Sequence, residues 1–306
     1  MSVKFIFNLK KPVKSTVVET SFYLKSQGGP TLILSHGLTG TPREMRFLGN
    51  FFHMRGYSVV CPRLANHGEP IEILKYTKWE AFYESIRKAF LELDTEGPVY
   101  VSGLSMGALL VLLLAEEFPD RIAGVSCLSP TLFYDGWNVP RSRFLLPLAY
   151  YTPIRHIAYY KEESPYGIKN EKNRRWVHKA YEKADINNFR EFDKYGYPYF
   201  PATLFRELWQ LIRHVKKILP HITVPVQMVQ AAEDDMTSVK NSQFIYDHIS
   251  SVVKEIVLLY NSYHVITADQ ERKKVALNME RFFNRNQNLS GIPAVESCTV
   301  EEMASL

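Results

Sequence analysis

An apolar strand-like run, Pro98 to Ser102, passes almost directly into a helical pattern that starts at Met106 and continues to about Phe118. The junction reads Gly103-Leu104-Ser105-Met106-Gly107. So abrupt a turn leaves the chain few options. The serine must sit on a strained strand-to-helix corner with its hydroxyl projecting clear. Side chains two residues before and two after it would collide there, so both places are glycine. A buried strand that feeds a helix with no intervening loop belongs to a layered α/β architecture, in which helices carry the chain back across a sheet.

The same rhythm recurs. Thr31 to Ser35, Tyr57 to Cys61, Ile122 to Leu128, Val224 to Gln230 and Glu255 to Tyr260 read as short buried strands. Trp79 to Leu93, Phe244 to Ser251 and Gln270 to Phe283 read as helices. The expected fold is a mostly parallel central sheet flanked by helices. The alternation stops between Pro130 and Thr223. A structureless loop of that length inside a compact domain is improbable, so residues 131–222 are expected to form an inserted helical cap. The main domain is then residues 1–130 and 223–285, with a loose polar tail over 286–306. The cap holds sixteen Lys and Arg against nine Asp and Glu, a balance of +7, and nineteen of the forty aromatic residues.

Composition sets the outer limits. A chain of 306 residues can bury a large core without disulfides. The net charge of +5 is mild, and no basic run interleaves with aromatics as in a nucleic-acid module, so nucleic acid is not an expected partner. Cys61, Cys127 and Cys298 are odd in number and widely spaced. They read as free thiols in a reducing compartment, with no Cys/His metal spacing. The apolar patch Phe5-Ile6-Phe7 is too short for a signal peptide, and no run reaches a membrane span. The expected setting is soluble and cytoplasmic.

The exposed Ser105 implies nucleophilic catalysis. A tetrahedral oxyanion needs two N–H donors. One comes from the residue after the nucleophile, Met106. The other comes from the loop after an early strand, His36-Gly37-Leu38-Thr39-Gly40-Thr41-Pro42, and is assigned to Leu38. His36 is read as a hydrogen-bonder of that loop. A serine also needs a base, and the base an orienting carboxylate. His264 follows the last expected strand, in the loop Asn261-Ser262-Tyr263-His264, which is where such a base must stand. Glu233, Asp234 and Asp235 follow the preceding strand, and spacing alone leaves the acid open among them. The chemistry requires no metal and no organic cofactor.

These segments resemble the bacterial carboxylesterase and monoacylglycerol lipase-like branch of the α/β-hydrolase superfamily. The loop from His36 to Pro42 is similar to that branch's HGFTGTP loop, and Gly103 to Gly107 to its GLSMG elbow. Tyr260 to Asp269 resembles its NSGHVITLD segment, whose histidine falls on His264. The branch's acid lies in an A-x-x-D-x-M pattern, which places it on Asp234, with Asp235 in reserve. The likeness covers roughly 31–130 and 223–284, about half the chain. It departs at residue 108, alanine where a second glycine is common, and in a longer cap. The resemblance implies an α/β-hydrolase fold and a serine carboxylic ester hydrolase, working through an acyl-enzyme on a small-molecule acyl ester. A thioesterase, a lactonase, an acyl-carrier-protein ester hydrolase or a silent ligand-binding homologue are the alternatives.

In the cap, Trp137, Tyr150, Tyr151, Tyr159, Tyr160, Trp176 and Trp209 are expected mostly to form the cap's own packing and its seam, with some lining an acyl site. The basic run Lys169, Lys172, Arg174, Arg175, Lys179 and Lys183 reads as a solvated helix face. The sharper reading is a docking face for an anionic partner.

Overall fold

The computed structural model describes residues 21–95, 97–139, 151–182 and 196–287. The patch Phe5-Ile6-Phe7, Tyr150, Lys183, Cys298 and the expected tail from residue 288 onward lie outside the described residues. In chain order the strands are β1 (Phe22–Leu24), β2 (Thr31–Ser35), β3 (Ser58–Cys61), β4 (Val99–Leu104), β5 (Ile122–Leu128), β6 (Tyr159–Lys161), β7 (Tyr199–Pro201), β8 (Val226–Ala231) and β9 (Lys254–Leu259). Seven of them form one sheet in the order β1-β3-β2-β4-β5-β8-β9. Only β1 is antiparallel, against β3; the other pairs in that sheet run parallel.

Parallel strands covered on both faces read as unbroken apolar runs, and β2 and β4 are buried at every position. Alternate residues then serve opposite faces. Ile33, Val99, Val101, Val125 and Met228 pack with α3 (Trp79–Leu91) and α4 (Met106–Glu117). Leu32, Leu34, Val59, Tyr100 and Val229 pack on the other side with α1 (Arg46–His53) and α8 (Arg272–Gln287). Helix α4 is buried from Met106 to Ala115 and has no polar stripe. A helix apolar all round belongs in the interior, and the others cover it. Each large side chain buried this fully contributes roughly 1.5–3 kcal/mol.

Between β5 and β8 the chain carries β6, α5 (Glu171–Glu182), β7 and α6 (Ala202–Ile218). Strands β6 and β7 pair antiparallel as a separate small sheet, which the helical expectation did not include. Helix α6 turns Leu204, Leu211, Val215 and Ile218 into the same core as α3 and α4. Two further helices among the described residues are α2 (Ile71–Leu74) and α7 (Lys240–His248), which begins four residues before the expected Phe244. Strand β8 begins at Val226 rather than Val224 because Pro225 has no N–H to give the ladder. The chain leaves β2 for β3 on one side and later β4 on the other, so the crevice at the carboxyl ends of β2 and β4 is a topological switch point.

Candidate active site

Ser105 stands in that crevice, between β4 and α4, with φ 57° and ψ −116°. This backbone is strained for any residue with a side chain, and the surroundings hold it. Its N–H donates to Leu128 O at 2.8 Å. A Cβ on Gly103 would stand 2.2 Å from the Gly107 carbonyl, and one on Gly107 would stand 2.5 Å from Ser35 O. Both glycines are therefore imposed by backbone contact. Ser105 Oγ shares a hydrogen bond with Thr131 Oγ1 at 2.9 Å. Among the described residues no hydrogen bond joins it to His264. Hydrogen bonds that serve a reaction are often long until substrate is bound.

His264, in the loop after β9, is buried and held by Asp234. Its Nδ1 lies 2.9 Å from Asp234 Oδ2 and 3.1 Å from Oδ1. Asp234 is fixed in turn. Met236 N–H and Thr237 N–H donate to Oδ1, each at 2.8 Å, and Gln230 Nε2 donates to Oδ2 at 2.7 Å. Burial alone would lower the His264 pKa; the charge and hydrogen bond of Asp234, with Asp235 and Glu44 behind, raise it above its ordinary value. The three adjacent acids therefore have separate places. Asp235 accepts from Gly167 N–H at 3.1 Å and His264 N–H at 3.2 Å, and burial, then the charge of Asp234, raises it to about 6. Glu233 reaches outward to Lys169 Nζ at 2.7 Å.

Met106 is the first residue of α4, so its N–H has no acceptor within the helix. Leu38 is buried and lines the same cavity as Ser105. His36 holds the loop from below: Leu64 N–H donates to its Nε2 at 3.1 Å, and its Nδ1 lies 2.9 Å from Gly37 O. Burial, then the neighbouring His67, keeps His36 well below its ordinary pKa and neutral.

Ser105, His264, Leu38, Glu44, Thr131 and Glu162 share one cavity of about 390 Å³. Its apolar wall includes Tyr134, Tyr166, Trp176, Phe205 and Leu208. Of the seven aromatics singled out between residues 131 and 222, Trp176 reaches this cavity. Trp137 packs on Tyr263, Tyr151 on Trp209, and Tyr160 on Phe205, while Tyr159 donates to Glu72. In the basic run Arg175 pairs with Glu171 and Lys169 with Glu233.

Thr131, Glu44 and Glu162 went unread in the sequence. Glu44 rises to about 7 through burial, eased by the Gly37 N–H and His264. Glu162 rises to about 8 through burial and then the charge of Asp235. Among the described residues no group of three His, Cys, Asp or Glu could hold a metal ion, and no helix is long and apolar enough to cross a membrane.

Residues 29–271 match the family described as serine aminopeptidase, S33, and the chain belongs to that family. Within the α/β-hydrolases it falls in the carboxylesterase and monoacylglycerol lipase-like branch, and it is an enzyme of the serine hydrolase class. It is 29% identical to the thermostable monoacylglycerol lipase of Bacillus sp. (strain H-257), over 85% of this chain and 93% of the relative. It is 26% identical to a carboxylesterase of Bacillus subtilis (strain 168), over 84% and 94%. Among solved structures, one described with LipS and LipT, two metagenome-derived lipolytic enzymes, superposes with a TM-score of 0.71 at 26% identity, covering 88% of this chain and all of that one. The monoacylglycerol lipase of Paleococcus ferrophilus shares the fold, with a TM-score of 0.68 at 18% identity over 89% of this chain and 99% of that one.

Proposed function

We propose that the chain is a cytoplasmic carboxylic ester hydrolase acting through an acyl-enzyme, with Ser105 as nucleophile, His264 as base and Asp234 as the orienting acid. The observation that carries this reading is the buried Asp234–His264 pair at 2.9 Å, sharing a cavity with the strained Ser105. Ser105 Oγ attacks the ester carbonyl while His264 Nε2 takes its proton. The N–H groups of Leu38 and Met106 bind the oxyanion, and charge developing beside Met106 is favoured by the N-terminus of α4. The intermediate collapses, the alcohol leaves with the proton from His264, and water repeats the sequence to release the acid.

The substrate we assign is a small-molecule ester with an apolar acyl chain, lying against Phe205, Leu208, Tyr166 and Trp176. Residues 131–222 act as the cap that supplies this wall. The free, buried thiols Cys61 and Cys127 favour a reducing compartment. The test is active-site labelling with a fluorophosphonate, alongside a panel of p-nitrophenyl esters, acyl thioesters and lactones. Wild type should label once and turn over esters, while folded Ser105→Ala should do neither. Near wild-type ester turnover by Ser105→Ala would end this reading, and faster turnover of thioesters or lactones would change the bond.

A further inference from the structure

An oxyanion donor helps only if it is already aimed when charge develops. The loop His36–Thr39 meets that demand through three side chains, one for each successive peptide unit. Between residues 36 and 37, Gly37 N–H donates to Glu44 Oε1 at 2.6 Å. Between 37 and 38, the Gly37 carbonyl faces His36 Nδ1 at 2.9 Å. Leu64 N–H occupies Nε2 of that ring, so the proton sits on Nδ1 and is donated to Gly37 O. In a trans peptide the N–H points opposite to the carbonyl, so this bond turns Leu38 N–H away from His36. Between 38 and 39, Leu38 O faces His67 Nε2 at 2.7 Å.

Two of these anchors are imidazoles that burial keeps neutral. The third differs in kind. Glu44 lies on the one-turn 3-10 helix Pro42–Met45, beyond the loop it holds. Its carboxyl group fills the space between the two glycines of the loop. It bonds Gly37 N–H at one end, and a Cβ on Gly40 would stand 2.2 Å from its Oε2 at the other. It also lines the cavity with Ser105 and His264. Among the described residues no hydrogen bond joins it to His264 or Ser105; it reaches the Asp234–His264 pair through its charge alone.

We propose that Glu44 is a positioning residue of the oxyanion loop, a hydrogen-bond acceptor wedged between Gly37 and Gly40 that holds the backbone in the direction that aims Leu38 N–H. The inference rests on the proposed role of Leu38 as oxyanion donor. What the loop requires of Glu44 is an acceptor of this shape rather than a charge. Glu44→Gln keeps the acceptor, Glu44→Ala removes it and empties the space, and Glu44→Leu fills the space without accepting.

The experiment measures kcat and KM for a p-nitrophenyl ester, and the affinity of a trifluoromethyl ketone, whose adduct with Ser105 puts an oxyanion in the same place. Removing one oxyanion donor outright costs about 10²–10³ in kcat, so loosening one in Glu44→Ala and Glu44→Leu should cost on the order of 10–10² with KM little changed. Ketone affinity should fall in proportion, and Glu44→Gln should restore both. Gln as impaired as Ala would overturn the proposal, since charge would then matter. So would unchanged kcat in Ala and Leu, or failure of both to fold, which would make Glu44 a folding element. Ser105→Ala runs in parallel. An active Ser105→Ala breaks the underlying assignment, whereas an inactive Ser105→Ala beside a fully active Glu44→Ala breaks only this one.

Discussion

Replacing Asp234 by Asn should cost about four orders of magnitude in kcat, and the hydrogen bonds around it say why. Asp234 Oδ1 accepts two backbone N–H groups at 2.8 Å, and Oδ2 faces both His264 Nδ1 at 2.9 Å and Gln230 Nε2 at 2.7 Å. An amide offers a single acceptor oxygen. If that oxygen keeps the two backbone donors, its NH₂ faces the Gln230 amide, donor against donor, and meets His264 Nδ1. It can donate there only if Nδ1 gives up its proton. The proton then resides on Nε2, which can no longer accept from Ser105. The same reversal in a related triad costs about 10⁴ in kcat, or roughly 5 kcal/mol of barrier. Asp235→Asn provides the contrast. Among the described residues its carboxylate accepts from the backbone N–H groups of Gly167 and His264. Losing one acceptor should lower stability by about 1–3 kcal/mol and leave the tautomer alone. Initial rates on a p-nitrophenyl ester, with thermal melts of both variants, decide the matter. Asp234→Asn within about tenfold of wild type, with Asp235→Asn the crippled one, would refute this reasoning and move the acid.

Gly103→Ala places a methyl group 2.2 Å from backbone. It should cost more than the about 1–3 kcal/mol of ordinary overpacking, read as a lowered Tm, with turnover falling as Ser105 shifts. His264 must be neutral to take a proton, and its pKa is raised, so the acid limb of kcat/KM should lie above the ordinary value of 6.5; a limb below it would refute the assignment. Phe205→Ala or Trp176→Ala should move the preferred acyl length, at roughly fourfold per methylene for about 0.8 kcal/mol each, without altering Ser105 labelling. An unchanged length profile would return selectivity to the main domain. Charge reversal at Lys172 and Lys179 should change nothing on neutral esters; a salt-dependent loss with an acyl carrier protein or acidic vesicles would reveal an anionic partner.

Part of this site is legible in the sequence alone because its constraints are local. Gly103 and Gly107 flank Ser105 at a spacing set by backbone collision, and His264 follows the last strand of the sheet. Asp234 is harder. Periodicity in an acidic triplet gives no direction, and what separates the three is the turn in which Asp234 accepts from Met236 and Thr237, so that Asp235 faces the backbone and Glu233 the outside. The Asp-x-x-Thr pattern is the one local clue. Glu44, Thr131 and Glu162 have none, since their meaning arises only when three distant segments close on one cavity. Strand β1 is three residues long and shows no period. The pairing of β6 with β7 spans about forty residues and cannot be seen in either run alone. Helix α6 reads as part of an insertion, yet its apolar face completes the main core.

The carboxyl groups around His264 bear on the end of the proposed reaction as well as its start. An ester enters uncharged, but the acid it yields sheds a proton into a wall already holding Glu44 and Glu162. A new anion there is repelled by those neighbours when they are ionised, or must compete with them for the protons they retain. In the proposed reaction, release of the product is therefore coupled to the protonation of Glu44 and Glu162. Above the pH at which those two groups ionise, near 7 and 8, the proposed product would meet like charge on leaving Ser105; below it, the same carboxyl groups would donate to it and hold it back.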